Sequence, residues 1–250
     1  MKNRMEFLNT RIDNVTMSEA VDEIEHMVAD DCVNQYVVTP NVDHIVKLEK
    51  DEHLREIYEE AALSTTDGQT LIWISRWLKT PIVERVSGSD LFPEVCERAA
   101  QKGWRVFLLG AAEGVAARAA QNLEEKYPGL QIVGVYSPPY GFEYDEEEME
   151  QIFQVVGKAR PQILVLGLGT PKAEKFFYDH RDRFHVSVAL HVGGSIDFEA
   201  GVIPRAPRWM RRTGLEWLYR LMKEPKRLAR RYLVEDMAIW GICWKYRKKR

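Results

Sequence analysis

Four short polar or glycine-bearing segments of this 250-residue chain each follow an apolar run. They are Thr39-Pro40-Asn41-Val42-Asp43-His44, Asp67-Gly68-Gln69-Thr70, Gly167-Leu168-Gly169-Thr170-Pro171-Lys172 and Gly193-Gly194-Ser195-Ile196-Asp197. The apolar runs read as strands, and ligands of an open α/β sheet bind outside the carboxyl ends of its strands, so the four segments are expected on one rim. Each has a structural reading as well. Thr39-Pro40 and Asp67 suit helix N-caps, and the glycine pairs suit tight strand-to-helix turns. Their joint occurrence points to a ligand: glycines such as Gly169, Gly193 and Gly194 let a pyrophosphate approach backbone amides, and helix N-termini favour its charge. Asp67 is the candidate general base toward a substrate hydroxyl. Arg85, within ERVSGSDL, reads either as an ion pair with Glu84 or Asp90 or as a diphosphate contact, for which a guanidinium fork is suited.

Metal chemistry has little support in the pattern. His44 and His191 lack a second ligand at helical spacing and read as packed or capping residues, and no Asp-x-Asp pair occurs in the chain. Arginines would then carry the positive charge, with neither metal nor cofactor expected. Gly110-Ala111-Ala112-Glu113-Gly114 is only half of a dinucleotide fingerprint.

The elements that must position these residues are legible from periodicity. Segments 35–39, 63–66, 105–109, 131–136, 163–166 and 186–192 read as strands. Between them, 42–62, 89–101, 114–127, 146–159 and 171–184 read as helices. Runs such as ILVLGLG are apolar on both faces, which predicts a parallel sheet covered on each side, a doubly wound, Rossmann-like α/β body over residues 1–203.

Residues 204–250 differ in kind. They hold 15 of the 35 Lys and Arg but four of the 38 Asp and Glu, a net of +11 that leaves −14 on the body. Four of seven tryptophans, Trp209, Trp217, Trp240 and Trp244, lie there too. Basic charge mixed with amphipathic aromatics predicts a helical appendage drawn to an anionic membrane surface. Helices are expected over 209–223 and 226–240, broken at Glu224-Pro225. Arg227 and Arg230 share a helical face that Arg220 joins if the bend is modest. No apolar run is long enough to span a bilayer, so membrane contact is expected to be peripheral. Three scattered cysteines argue for a reducing, cytoplasmic setting.

Several long motifs, in order, resemble the WecB/TagA/CpsF glycosyltransferases: TPNVDH, the Thr66-Asp67-Gly68 turn, ERVSGSDL, FLLGAAEGVAARAAQNLEEKYPGLQIVG, GLGTPKAEK, HVGGSIDFEAG and RAPRWMRRTGLEWLYRLMKEPKR. The resemblance implies an inverting, metal-independent transfer of a sugar, N-acetylmannosamine first, from a UDP-sugar to undecaprenyl-diphosphate-linked N-acetylglucosamine. This is the chemistry of wall teichoic acid or surface polysaccharide synthesis, at the inner face of the cell membrane. It implies Asp67 as base, with Thr39, Asn41 and Arg85 in the same pocket. Asp197, Gly193, Gly194 and Gly169 fall at the nucleotide, and Arg220, Arg227 and Arg230 close over the leaving diphosphate. The chain departs from the family at Ala173, where relatives carry Gln, and at Gln69-Thr70, where they carry a DGxG turn. Another UDP-sugar, such as N-acetylmannosaminuronic acid or a hexose, is the alternative donor. Two other classes compete: a nicotinamide-dependent oxidoreductase, against which the missing G-x-G-x-x-G counts, and a nucleic-acid binder using the basic arm. No nucleic acid is expected as a partner, and the sequence leaves a homo-oligomer open.

Overall fold

The computed structural model describes residues 3–30 and 32–247, apart from the side chains of Arg208, Arg212 and Arg227. A hairpin of β1 (Arg4–Phe7) and β2 (Thr10–Asp13) precedes α1 (Met17–Ala29). There follow β3 (Gln35–Val38), α2 (Val42–Leu48), α3 (Glu52–Glu60), β4 (Leu63–Ser64), α4 (Gln69–Trp77) and α5 (Gly88–Lys102). Next come β5 (Arg105–Gly110), α6 (Val115–Lys126), β6 (Gln131–Tyr136), α7 (Glu146–Ala159), β7 (Ile163–Gly167), α8 (Lys172–Asp179), β8 (Val188–His191) and α9 (Ser195–Glu199). The C-terminal segment holds α10 (Arg208–Arg212), α11 (Glu216–Lys223), α12 (Pro225–Arg230), a π-helical turn (Arg231–Glu235), a 3-10 turn (Asp236–Ala238) and α13 (Ile239–Arg247).

Strands β3 to β8 form one parallel sheet in the order β4-β3-β8-β7-β5-β6, the Rossmann-like α/β architecture the sequence predicts. Its strands bury both faces. Val37, Val106, Leu108, Ile163, Val165, Val188 and Leu190 pack with α1, α5, α6 and α9. Tyr36, Val38, Phe107, Leu109, Leu164, Leu166 and Ala189 pack with α2, α3, α4, α7 and α8. Neighbouring β3 and β8 therefore send their following helices, α2 and α9, to opposite faces, which opens a crevice at their carboxyl ends. At the adjoining strand ends Gly110 has φ +120°, and a Cβ there would lie 2.6 Å from the Gly167 carbonyl carbon, so only glycine lets β5 and β7 approach so closely.

All six sheet strands fall where the sequence places them, whereas the helix expected over 42–62 is two. The Asp51 side chain accepts from Leu54 N–H at 3.0 Å and restarts the chain as α3. The N-terminal hairpin was not anticipated. Its buried Asp13 accepts from Ser64 N–H at 2.8 Å and pairs with Arg4 at 2.7 Å, tying the hairpin to the β4 edge.

The C-terminal segment lies against the body. Ile239, Ile242 and Cys243 are buried in the same core as α2 and α4. The break at Pro225 is present, with proline at the first position of α12. The helix expected over 209–223 is interrupted at Gly214, in the left-handed region at φ +74°.

Candidate active site

The loops after β3 and β4 and the C-terminal segment enclose a cavity of about 340 Å³. Asp67 stands on its floor. The Asp67 backbone N–H donates to the Pro40 carbonyl at 2.9 Å, which joins the two loops. The N-cap of α4 is Gly68, so the Asp67 carboxylate is not spent on capping and accepts no hydrogen bond among the described residues. It is half-buried and faces the cavity. Burial pushes its pKa up to about 6; Arg85 and Arg220 oppose that rise, and Glu216 and Asp90 add to it. A carboxylate poised near neutrality and free of partners is suited to accept a proton.

One wall is an arginine cluster organised by a single anion. Asp90, in the first turn of α5, accepts from Arg85 at 2.8 Å and Ser87 at 2.7 Å through Oδ2, and from Arg205 at 2.7 Å and Arg211 at 3.2 Å through Oδ1. Burial pushes Asp90 upward, but Arg205, Ser87 and Arg85 outweigh it and hold the carboxyl below its usual range. Arg85 also reaches Glu216 at 3.3 Å. Arg220 lines the cavity and lies over the Phe198 ring, 5.4 Å from its centroid, so it links the cavity to α9 beside Asp197. The Nε–H groups of Arg205, Arg211 and Arg220 are buried and have no hydrogen-bond partner among the described residues. Four guanidinium groups against Asp90 and Glu216 leave this side of the cavity positive, with Arg85, Arg211 and Arg220 on its lining.

The opposite wall is balanced in charge. Arg231 pairs with Asp43 at 3.3 Å and approaches the Asn41 amide oxygen at 3.4 Å, while Lys47 holds Asp43 at 2.7 Å. Asp236 lies one π turn beyond Arg231; burial pushes its carboxyl up to about 6. Trp217, Leu233, Met237 and Trp240 line the mouth and are exposed.

The residues singled out from the sequence fall into three groups. Asp67, Asn41, Arg85 and Arg220 meet at the cavity. Asn41 also caps α2, accepting from His44 N–H at 3.3 Å. Thr39 is buried behind the cavity, its hydroxyl donating to the His191 carbonyl at 3.3 Å. Gly169, Gly193, Gly194 and Asp197 occupy the neighbouring ends of β7 and β8, off the cavity lining. Arg230 points away, 85% exposed and paired with Glu235 at 3.0 Å, and the Arg227 side chain lies outside the described residues. Both histidines pack as expected: His44 caps α2, His191 sits edge-on to Tyr36 and Phe177, and burial holds each near a pKa of about 3. Ala173 is buried in the core, facing away from the cavity.

Sequence reasoning missed Asp90 as a hub, Arg205 and Arg211 as its cationic counterparts, Arg231 on the opposite wall, and the acids Glu216 and Asp236. A signal was present for the last two. They are half of the four acids in a segment of net +11.

Residues 5–250 match the model of the glycosyl transferase WecG/TagA/CpsF family. The chain is 29% identical over 228 residues to the N-acetylglucosaminyldiphosphoundecaprenol N-acetyl-beta-D-mannosaminyltransferase of Staphylococcus aureus strain MW2, covering 91% of this chain and 87% of that protein. The protein of the same name from strain COL is similar to the same extent. With the match running over nearly its whole length, this chain belongs to the WecG/TagA/CpsF family and is a glycosyltransferase.

Proposed function

We propose that the protein transfers N-acetylmannosamine from a UDP-sugar to N-acetylglucosamine carried on undecaprenyl diphosphate, with inversion and without a metal. The observation that carries this reading is Asp67, unpartnered on the cavity floor beside a wall of arginines. Its carboxylate takes the proton of an acceptor hydroxyl as that oxygen bonds to the anomeric carbon. The bond from that carbon to the nucleotide's phosphate oxygen breaks from the opposite side. The diphosphate leaves with its charge met by Arg85, Arg205, Arg211 and Arg220, groups already fixed in place and in need of no reorganisation. The glycines at the ends of β7 and β8, Gly169, Gly193 and Gly194, with Asp197, are the nucleotide's side of the site. The relatives' name supports the acceptor and the transferred sugar.

The lipid-linked acceptor brings the enzyme to the cytoplasmic face of the membrane. Among the described residues no helix is long and apolar enough to cross a membrane, and the exposed tryptophans at the cavity mouth support a peripheral approach. The decisive experiment incubates the protein with several UDP-sugars and a synthetic polyprenyl-diphosphate-linked N-acetylglucosamine, with and without EDTA, and reads products by mass spectrometry. A disaccharide formed from UDP-N-acetylmannosamine in EDTA is expected. Product only from another donor replaces the sugar, strict dependence on magnesium or manganese overturns the metal-free mechanism, and no product from any donor overturns the reading.

A further inference from the structure

Of the C-terminal segment's buried side-chain atoms that lack a hydrogen bond among the described residues, two belong to residues that line the cavity wall opposite the Asp90 cluster. Arg231 Nε is a donor and Asp236 Oδ1 an acceptor. Leaving such a group unsatisfied is unfavourable, and a ligand that supplies the missing partner relieves that cost. The π turn brings the two together: Asp236 N–H donates to the Arg231 carbonyl, the i to i+5 closure that stacks residues five apart, where an α-helix would align residues four apart. Arg231 directs Nη2 to Asp43 and Asn41, which fixes the guanidinium and leaves Nε for something else.

The chemistry of the missing partner is constrained. A phosphate offers acceptors only; it would satisfy Arg231 and leave Asp236 unpaired and repelled. An amide offers an N–H and a carbonyl on adjacent atoms, a donor for Asp236 and an acceptor for Arg231. Tyr232 and Trp217, edge-to-face with ring centroids 6.3 Å apart, add apolar surface for a methyl group on the same lining. Asp67 lines the same cavity, and the transfer reading gives it the acceptor's hydroxyl, which is why the subsite is assigned to the acceptor sugar.

We propose that Arg231 and Asp236 form an amide-reading subsite that selects an acceptor sugar bearing an acetamido group. The proposal rests on the transfer reading above and names two residues that determine its acceptor specificity. It is tested with paired acceptors, synthetic prenyl-diphosphate-linked N-acetylglucosamine and the same lipid carrying glucose, whose hydroxyl replaces the acetamido group. The parent enzyme is expected to favour the acetamido acceptor at least about tenfold in kcat/KM. Asp236→Leu should lower kcat/KM on the acetamido acceptor about tenfold more than on the glucose lipid, chiefly through KM, so that the preference collapses. Arg231→Lys, which keeps the charge but moves the donor, should collapse it too and covers the case in which Asp236→Leu does not fold. A preference retained in both variants overturns the subsite, even if overall activity falls, and so does a parent enzyme that uses both acceptors equally. Failure of the parent to use either acceptor overturns the transfer reading instead.

Discussion

Asp67 combines a proton-accepting position with an energetic cost. Its folded-state pKa of about 6 lies above the ordinary carboxylate value of about 3.9, so between these values the folded chain holds a proton that the unfolded chain has released. The stability this contributes is intact below about pH 4 and is lost as pH rises through about 6. Asp67→Asn is therefore expected to raise the melting temperature at pH 7.5 and to leave it little changed at pH 4, while lowering transfer by about 10²-fold or more. Calorimetry at the two pH values, with turnover measured alongside, checks both halves. The parent's kcat should rise with pH through about 6, as expected of a base that must be ionised. The arginines separate in the same way by position. Arg220→Ala should cut kcat with UDP as leaving group, whereas Arg230→Ala, at an exposed residue turned away from the cavity, should leave turnover within about twofold, the size of a surface substitution.

Among the elements, the turn between α10 and α11 is tightly specified. A Cβ on Gly214 would lie 2.6 Å from Gln69 Cγ and 3.1 Å from the Trp73 ring, at a positive φ. Gly214→Ala is expected to destabilise the fold by about 1 kcal/mol or more and to depress turnover further than that loss explains, because Glu216, Trp217 and Arg220 follow directly. Thermal melts and single-turnover rates distinguish the two effects. The same turn marks the limit of what was legible in the sequence. The strands of the sheet announce themselves as apolar runs because burial on both faces leaves no room for polar residues, and Asp67 and Arg85 stand out at their ends. Helical spacing, by contrast, predicts Arg230 as a partner for Arg220, yet Arg230 is exposed and its neighbour Arg231, where the π turn begins, lines the cavity. A π turn depends on packing against α2 and carries no composition of its own. The Asp90 hub was hidden for a related reason: its partners Arg205 and Arg211 lie 115 and 121 residues away, and no local pattern encodes such pairs.

At the scale of the whole molecule, an acidic body carries a basic, tryptophan-rich segment that closes the candidate cavity. Trp73 and Trp77 of α4 are exposed as well, and Arg247 of α13 lies over the Trp77 ring at 4.9 Å, so body and segment contribute aromatics together. Binding to vesicles containing phosphatidylglycerol should exceed binding to neutral vesicles, weaken with salt, and fall when Trp73 and Trp77 are replaced by serine; sedimentation with vesicles measures all three. Removing residues 204–250 should leave a folded sheet, seen by circular dichroism, but bare the apolar surface beneath Ile239, Ile242 and Cys243 and abolish transfer. Dye binding to exposed apolar surface and loss of product are the readouts. The cavity also has a history in time. Asp67 and Asp90 leave the ribosome well before Arg205, Arg211, Arg220 and Arg231, and at roughly 5–20 residues per second several seconds pass between them. A nascent chain that has not yet reached Arg205 thus holds every strand of the sheet and only part of the cavity lining, and transfer is expected only after the segment through Trp240 has been made.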